Sequence, residues 1–235
     1  MRKLVVPELL DQRSPDPALL RESLDDLARM NRYLGVTAGI VSQVGWILDG
    51  TPPRRLAVLD VGAGGGDVLM SLGSWCRRRG IGFAGLALDL GRVTSRIAAA
   101  HTGEGGGTGR IQTVCGDARA LPFPEGCFDV TICSTFLHHL AHDDAVRALR
   151  EMARVSALGL VVTDLRRGRL GYLAAWTLAN TVWRRHRYTR HDAIASMRAS
   201  YTVAEARALA ERAGLSVSVE PQLPFRWTLR WRRGS

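Results

Sequence analysis

A glycine-rich turn, residues 62–66, follows directly on a short apolar run, residues 56–61, and is itself followed by Asp67. A strand, a glycine turn and a helix in this order can hold a ligand against the main chain. Glycine has no Cβ, and the start of the helix offers unpaired N–H groups. A dinucleotide-binding turn has glycine or alanine where this chain has Asp67, and no Gly-Lys-Ser/Thr follows as in a P-loop. Because a carboxylate there would repel phosphate, the turn favours a cationic ligand without phosphate.

Three more aspartates stand at successive predicted strands. Asp60 lies inside the first strand, Asp89 ends the second and Asp117 ends the third. An acidic residue at the end of the second strand accepts hydrogen bonds from ribose hydroxyls, and Asp117 is placed to accept one from an adenine amino group. A plain tight loop explains a glycine turn alone. The ordered set describes S-adenosylmethionine, which carries a sulfonium and an ammonium group but no phosphate.

Two adjacent histidines, His138 and His139, follow the predicted fourth strand, and Asp164 lies at the end of the fifth. In open α/β sheets the carboxyl ends of the strands form the ligand crevice. A neutral imidazole there can take a proton from an alcohol or phenol, and a carboxylate behind it fixes the tautomer. A packed histidine beside the ligand and an aspartate that only caps its strand remain the alternatives.

The elements that must position these residues alternate between strands and helices. This alternation predicts a mainly parallel sheet with helices on both faces. The apolar runs predict five strands, at residues 56–61, up to 89, 110–115, 128–134 and 158–165, with helices at 67–79, 92–101 and 143–155 between them. The tail is predicted to hold helices at about 170–186 and 203–213 and two strands near 215–220 and 225–231. His142 is expected at the cap of the helix that starts at Asp143.

Apolar residues recur at helical spacing from about residue 19 to residue 48, ahead of the first strand. Gly35 and Gly39 predict a break into two helices. Residues 1–17 contain three prolines and are expected to be a loose lead-in. Thr51-Pro52-Pro53 is predicted to be a linker, and residues 101–109 a flexible loop.

The composition excludes several classes of protein. The 235 residues are 46% hydrophobic and 23% charged, which suits one globular domain with or without a lid. No run approaches the ~20 apolar residues of a membrane span. Four cysteines without zinc spacing are expected to be buried in a reducing compartment, so we expect a cytoplasmic protein that needs no metal. The formal charge of +10 comes almost entirely from arginine, Lys3 being the only lysine.

Four segments carry a family resemblance: VLDVGAGGGD, LALDL, GDARALPFPEGCFDVTICSTFLHHL and ALREMARVSALGLVVTDL. In order and spacing they resemble the motifs of class I S-adenosylmethionine-dependent methyltransferases. The most similar branch acts on small molecules and includes ubiquinone/menaquinone-like and natural-product O-methyltransferases. The resemblance covers residues 56–165. It implies an α/β, Rossmann-like fold with a seven-stranded, mostly parallel sheet whose last strand is antiparallel. It also implies an N-terminal helical lid over residues 1–50, a methyltransferase domain over 51–235, and a helical insert at about 166–202 that covers the substrate.

The same resemblance assigns residues to S-adenosylmethionine and its product S-adenosylhomocysteine. Asp89 and Leu90 are expected at the ribose, and Asp117 and Ala118 at the adenine. Ser134 is expected to face the cofactor with its main chain. The residues expected around the methionine part are Asp60, Gly62, Ala63, Gly64 and Gly66.

Related O-methyltransferases place a histidine and an aspartate at the motif positions of His138 and Asp164. By that resemblance His138 is the general base and Asp164 its orienting partner. His139 is a further candidate, for which a structural role is favoured.

Substrate contacts are predicted on both covering segments. Asn31, Arg32 and Tyr33 can reach the site as part of the lid, or lie on a solvated helix face. The insert helix, with Tyr172, Trp176 and Trp183, can line a hydrophobic pocket, rest on a membrane surface, or pack as an ordinary core helix. Arg198, with its polar neighbours Arg190, His191, Asp192 and Tyr201, can organise an acidic or phenolic substrate or tie the lid down by ion pairs.

The leading hypothesis is methyl transfer to the oxygen of a small hydrophobic aromatic or polyketide-type acceptor in secondary metabolism. C-methylation of a phenolic or quinol ring is the main alternative. A nucleic-acid methyltransferase is less favoured, because base-amino methylases need an Asn/Asp-Pro-Pro-aromatic loop where this chain has residues 134–137, STFL. A cofactor-binding protein without activity and an NAD-dependent oxidoreductase are less favoured still. We expect a monomer or homodimer with no nucleic-acid partner and no integral membrane association; surface contact with a membrane is compatible with the sequence.

Overall fold

The computed structural model describes residues 1–4, 6–12, 15–48, 53–104 and 110–234. Thr51 and Pro52 of the predicted linker, and residues 105–109 of the predicted loop, lie outside the described residues. The strands are β1 (Arg55–Val61), β2 (Gly82–Asp89), β3 (Arg110–Cys115), β4 (Phe128–Ser134), β5 (Ser156–Leu165), β6 (Ser218–Gln222) and β7 (Arg226–Arg232). The helices are α1 (Pro17–Tyr33), α2 (Val36–Ile47), α3 (Asp67–Arg77), α4 (Arg92–Glu104), α5 (His142–Val155), α6 (Arg169–Asn180), α7 (Arg187–Ala199) and α8 (Val203–Arg212).

The strands form one seven-stranded sheet in the order β3-β2-β1-β4-β5-β7-β6. Strands β1 to β5 pair in parallel, and β7 is antiparallel to both β5 and β6. The predicted Rossmann-like α/β fold is therefore confirmed. The chain moves outward from β1 to β3 and then returns to β4 on the other side of β1. This reversal opens a crevice at the carboxyl ends of β1 and β4, where ligands bind in such sheets.

Each face of the sheet is covered by its own helices. Side chains alternate between the two faces along a strand, so Leu56 and Val58 of β1 pack with α2 and α3. Leu59 and Val61 of the same strand pack with α5 and α8. Both layers are closed by buried aliphatic side chains, and the strand ends are thereby held in fixed positions around the crevice.

Only one of the two predicted glycine breaks in the N-terminal helices is present. Gly35 has a φ of 69° between α1 and α2, but Gly39 lies inside α2. A Cβ at Gly39 would be 2.7 Å from Nε2 of Gln222. The missing side chain thus allows close packing on the end of β6 and does not interrupt the helix.

The expected loose lead-in is in fact fastened to the insert. The N–H groups of Leu9 and Leu10 donate to the two carboxylate oxygens of Asp192 on α7, at 2.8 and 3.1 Å. The N–H of Leu4 donates to the carbonyl of Arg198 at 3.1 Å. We call the described residues before α1 the N-terminal strap. The three prolines predict a loose segment. The sequence gives no sign of its order, because the residues that it binds lie far away in the chain.

The helix predicted at 170–186 ends earlier in the structure than expected, and a second helix, α7, follows it. Helix α6 ends at Asn180, where the Thr181 hydroxyl donates back to the carbonyl of Thr177 at 2.7 Å, a side-chain bond that competes with helix continuation. Helix α7 was not predicted, because four of its six buried residues are small or polar: Asp192, Ala195, Ser196 and Ala199. Hydrophobic periodicity gives no signal for such a helix.

Three smaller expectations are wrong. Cys115 and Cys127 are exposed, since one ends the edge strand β3 and the other lies in a turn, whereas Cys76 and Cys133 are buried. His142 is the first residue of α5, and no side chain caps this helix. Helix α4 continues to Glu104, through the start of the predicted loop. The described residues contain no helix with the length and hydropathy needed to cross a bilayer.

Candidate active site

The glycine turn between β1 and α3 has a backbone that only glycine adopts easily. Gly62, Gly64 and Gly66 have φ values of 71°, 52° and 78°, in the left-handed region that a Cβ disfavours. A Cβ on Gly62 would also lie 2.4 Å from Cγ of Phe136. The turn is therefore both conformationally special and packed against the segment that follows β4.

The end of β2 holds this turn in place. The N–H groups of Gly62 and Ala63 both donate to the carbonyl of Leu88, at 2.9 and 3.1 Å. The Asp89 carboxylate accepts from the N–H of Gly64 at 3.2 Å and from the N–H of Gly91 at 2.9 Å. Asp89 thus spans the glycine turn and the turn after β2, between which a nucleoside would lie.

Three carboxylates, those of Asp60, Asp67 and Asp89, surround the turn, although the charges of Arg32 and His139 act on two of them. Asp60 is 1% exposed, and its Oδ1 has no hydrogen-bond partner among the described residues. Burial, and then the charges of Asp67 and Asp89, raise the pKa of Asp60 well above its usual range. Burial likewise raises the pKa of Asp67 and of Asp89, against hydrogen bonds that lower it. This concentration of buried acid fits a ligand with positive groups.

The residues predicted at the adenine and ribose lie on the same rim. Ala118 is buried beside the crevice, and Leu90 is exposed. Hydrogen bonds from Arg119 hold the pKa of Asp117 below its usual range. Because the Arg119 side chain binds both carboxylate oxygens, an adenine amino group would share Asp117 with it. Ser134 ends β4 next to Thr163 of β5. These cofactor contacts remain predictions.

His138 and Asp164 form a buried pair. A short 3-10 turn, Leu137–His139, places both histidines just after β4. His138 Nδ1 lies 2.7 Å from Asp164 Oδ1, and the His138 backbone N–H donates to the other carboxylate oxygen at 2.9 Å. Two contacts to one carboxylate fix the orientation of the imidazole and direct its Nε2 away from Asp164.

Glu8 of the N-terminal strap, which the sequence did not single out, lies on the other side of His138. His138 Nε2 is 3.4 Å from Glu8 Oε1, which also accepts from the Ser196 hydroxyl at 2.5 Å. Burial alone would lower the pKa of His138, but the charges and hydrogen bonds of Asp164 and then Glu8 raise it to about 10. The contact with Glu8 and the pair with Asp164 thus favour the imidazolium, and the neutral imidazole that a general base needs remains a prediction.

His139 is held by a second carboxylate. Its Nδ1 lies 2.7 Å from Asp11 Oδ2, and its Nε2 lies 3.8 Å from Glu8 Oε2. Within the described part of the chain, Glu8, His138 and His139 are the group whose ligand atoms approach one another closely enough, within 4.8 Å, to hold a metal ion. Two imidazoles and a carboxylate suit a transition metal. The metal independence expected from the sequence remains a prediction.

A cavity of 310 Å³ lies over the histidine pair, within the size range of small-molecule sites. Its lining includes Thr135, His138 and Arg226. The other polar residues of the lining are Glu8, Ser23, Asp26, His139, Thr189, Asp192 and Ser196. Apolar side chains from α1, α6, α7 and the segment before β7 form most of the remaining walls, among them Leu27, Met30, Leu34, Ala174, Ala175, Leu178, Trp183, Met197 and Phe225. A hydrophobic molecule that carries oxygen atoms would match this lining.

Two cavity residues could not be predicted from the sequence. Thr135 has a φ of 54°, which is rare for a β-branched residue and is typical of functional sites. Arg226 is 1% exposed and donates to the Thr135 hydroxyl at 3.0 Å. In the sequence, nothing distinguishes Arg226 from the other arginines of the C-terminal segment. Only its place in the sheet does.

The predicted substrate residues are divided between different surfaces. Trp183 lines the cavity. Trp176 and Arg198 instead line a separate outer groove rich in arginine, because α6 and α7 turn small residues towards the cavity. Tyr172 is half-buried but lies outside the cavity wall.

The lid residues are divided in the same way. Tyr33 is 84% exposed and Arg32 is exposed as well, whereas Asn31 is buried. The Asn31 amide lies 3.5 Å from Asp67 and its carbonyl 3.5 Å from Arg226. Asn31 is therefore the residue of this group that connects the glycine turn with the cavity.

Residues 58–159 match the family model described as a methyltransferase domain. The structure of an S-adenosylmethionine-dependent methyltransferase from Aquifex aeolicus matches 93% of this chain and 99% of its own, with a TM-score of 0.63 and 17% identity. Human N-acetylserotonin methyltransferase in complex with S-adenosylmethionine matches 94% of this chain and 57% of its own, with a TM-score of 0.65 and 14% identity. Residues 58–159 therefore match a methyltransferase domain, and the chain shares the fold of solved S-adenosylmethionine-dependent methyltransferases, in agreement with the sequence motifs.

A curated relative is the uncharacterized methyltransferase YcgJ of Bacillus subtilis strain 168. It is 30% identical over 98 residues, which are 42% of this chain. The match spans only 35% of the length of that relative. A match of this length cannot span the lining of the cavity, which runs from Glu8 to Arg226, so it does not identify the acceptor.

Proposed function

We propose that the protein transfers a methyl group from S-adenosylmethionine to an oxygen atom of a small, hydrophobic aromatic or polyketide-type acceptor in secondary metabolism. The observation that carries the proposal is the buried Asp60 carboxylate of β1. Its Oδ1 has no partner among the described residues, and it lies just before a glycine turn that suits a cationic ligand. The turn adjoins the cavity above His138 through Asn31, which contacts both Asp67 and the cavity residue Arg226. A cationic methyl donor and a hydrophobic acceptor would meet there.

The residues present fit the cofactor. Asp60 and Asp67 would neutralise its positive groups, the turn of Gly62, Gly64 and Gly66 would lie against its methionine part, and Asp89 would accept from its ribose. When bound, S-adenosylmethionine supplies a methyl group activated by the positive sulfur. Transfer then needs an acceptor oxygen that is aligned and has lost its proton, and positioning of this kind contributes much of the acceleration.

His138 would manage the acceptor's proton. Its imidazole faces the cavity, and Asp164 and Glu8 bring its pKa to about 10, close to that of a phenol. The imidazolium must first lose its own proton at Nε2, on the side of Glu8. The neutral ring can then accept the proton of a phenol with little free-energy cost, because the two pKa values are similar. Once that proton has been taken, the paired carboxylate of Asp164 stabilises the imidazolium. His139 and Glu8 would support this pair from the side of the strap.

C-methylation of a phenolic or quinol ring remains the second candidate, since the same imidazole can deprotonate a phenol and so activate the ring carbons. The apolar cavity does not favour a nucleic-acid acceptor, despite the charge of +10. The solved magnesium protoporphyrin IX methyltransferase of Synechocystis, to which the chain is 18% identical with a TM-score of 0.56, has a name that indicates a small-molecule acceptor. The cytoplasmic location, the monomeric or homodimeric state and the division of the chain near residue 50 remain predictions.

The test is in two stages. Calorimetry should detect binding of S-adenosylmethionine and S-adenosylhomocysteine, and mass spectrometry should then detect methylated products from a panel of phenols and aromatic polyketides. Radiolabelled methyl groups offered with bulk tRNA and rRNA provide the comparison. Tight binding of NADH without binding of either nucleoside would overturn the proposal, and strong labelling of RNA would replace it.

A further inference from the structure

Arg226, the first residue of β7, is a buried cation in the wall of the cavity. Antiparallel pairing places it opposite Leu165 of β5, and both residues line the cavity. A guanidinium withdrawn from water is costly unless a charge partner and hydrogen bonds compensate for the loss of hydration. The partners of Arg226 therefore indicate whether the protein alone compensates its charge and its hydrogen-bond donors.

Among the described residues, the hydrogen-bond partners of Arg226 are neutral. One terminal nitrogen of Arg226 donates to the Thr135 hydroxyl at 3.0 Å and the other to the Asn31 side-chain carbonyl at 3.5 Å. Its Nε is buried and has no partner in the described structure. Since a guanidinium has five N–H donors, more than half of its hydrogen-bonding capacity is unused.

The carboxylate whose charge acts on Arg226, that of Asp164, already has other partners. Asp164 raises the pKa of Arg226, but burial has the larger effect and lowers that pKa to about 10. Both oxygens of Asp164 are taken, since one accepts from the His138 backbone and the other contacts the His138 imidazole and accepts from the Leu165 N–H. Arg226 forms no ion pair with any carboxylate among the described residues, so its positive charge is available to a ligand.

We propose that Arg226 binds an oxyanion of the acceptor, so that the natural acceptor is an apolar molecule with a carboxylate, enolate or acidic phenolate beside the oxygen that is methylated. The inference rests on the proposed function and narrows its substrate class. The planar guanidinium can bind two oxygens side by side. Thr135 and His138, which also line the cavity, would then place the neighbouring hydroxyl at the imidazole.

The carboxylate of the cofactor's methionine part is a second source of the same chemistry. Asn31 contacts both Arg226 and Asp67, so the two regions adjoin. The position of Arg226 in the wall of the apolar cavity favours the acceptor. The experiment must therefore separate an acceptor oxyanion from a cofactor carboxylate.

Two probes of equal shape and different charge, 2-naphthoate and 2-naphthylmethanol, can be titrated calorimetrically into the protein saturated with S-adenosylhomocysteine. We expect naphthoate to bind at least tenfold more tightly to the wild type and Arg226→Gln to abolish that preference. Arg230→Gln is the matched control, because Arg230 lies on the same strand but pairs with Glu220 and stacks on Trp46 outside the cavity. It should retain the preference.

Equal binding of the two probes to the wild type, or a preference that survives in Arg226→Gln, would overturn the proposal. A tenfold loss of S-adenosylhomocysteine affinity in Arg226→Gln with the probe preference unchanged would assign Arg226 to the cofactor instead. If Arg226→Gln does not fold, Arg226→Lys replaces it. Lysine keeps the charge without the paired donors, so the preference should fall severalfold, and an unchanged preference would count against the proposal.

The same titrations without S-adenosylhomocysteine separate this inference from the proposed function. A protein that binds neither S-adenosylmethionine nor S-adenosylhomocysteine would refute methyl transfer. A naphthoate preference that depends on Arg226 would still stand in that case.

Discussion

Asp164 at the end of β5 contacts His138 twice, through the imidazole at 2.7 Å and through the backbone N–H at 2.9 Å, and both side chains are fully buried. The carboxylate therefore fixes the position of the residue as well as the orientation of its ring. Because β4 and β5 are neighbours in register, this pair is built into the sheet, whereas Glu8 reaches the same imidazole from a separate segment.

Replacing His138 should impair the reaction without affecting cofactor binding. We expect His138→Gln to lower kcat by roughly 10²–10⁴-fold, the usual contribution of a general base. The affinity for S-adenosylhomocysteine, measured by calorimetry, should stay the same. His142→Gln, at an exposed position on α5, is the control. An unchanged kcat in His138→Gln would show that the histidine only packs beside the ligand.

Loss of the Asp164 charge should destabilise the fold, because it leaves an imidazolium and Arg226 buried without this carboxylate. We expect Asp164→Asn to lower the free energy of unfolding in urea by about 3–5 kcal/mol at pH 7. Asp143→Asn breaks an exposed ion pair with Arg212, and such pairs contribute little, so no measurable loss is expected there. Similar stability of the two variants would contradict the buried pair described above.

The pH dependence of the reaction should report His138 and its contact with Glu8. The imidazole must lose its proton to act as a base, so kcat/KM should rise with pH towards about 10, the value set by Asp164 and Glu8. Glu8→Gln removes one negative charge, which lowers the pKa of His138 and moves the rising part of the profile to lower pH. Glu125→Gln, at an exposed position, should leave the profile where it is. A profile that does not move in Glu8→Gln would rule out the contact in the active protein.

The charge of Asp60 is expected to lower the stability of the ligand-free protein and to strengthen ligand binding. Its pKa is raised by burial and by Asp67 and Asp89, so the protein without ligand loses stability as the pH rises above the ordinary pKa of an aspartate, near 3.9. Asp60→Asn should therefore raise the Tm of the ligand-free protein at pH 8, by about 2–4 °C for each kcal/mol relieved. It should also weaken S-adenosylhomocysteine binding in calorimetry. A variant that binds the nucleoside as well as the wild type would remove the main support for the cofactor site.

The reaction should continue after metal is removed. His138 and His139 each contact a carboxylate through Nδ1, and Glu8 accepts from Ser196, so the cluster is satisfied by ion pairs and hydrogen bonds. Activity measured after dialysis against EDTA should equal that of the untreated protein. Loss of activity that zinc restores in the wild type but not in Glu8→Gln would establish a metal centre formed by these three residues.

The parts of the site that the sequence predicts depend on local patterns. Glycines 62, 64 and 66 and the aspartates at the strand ends are recognisable because a turn requires those residue types at that spacing. The pairing of His138 with Asp164 follows from adjacent parallel strands. Glu8 and Arg226 carry no such pattern, since they reach the cavity through contacts with residues more than 90 positions away. Helix α7 could not be predicted from the sequence for a related reason. It packs against the N-terminal strap through Asp192 and Ser196 and not through an apolar stripe.

The bonds from Leu9 and Leu10 to Asp192 also bear on how acceptor selectivity can be changed. In the proposed site the tips of β1 to β4 would form the nucleoside wall, and the wall of the cavity opposite comes from the N-terminal strap, α1, α6, α7 and β7. An engineer who grafts α7 from a related enzyme should therefore graft the strap with it. The two segments are a single exchangeable part, and the nucleoside wall can be left as it is.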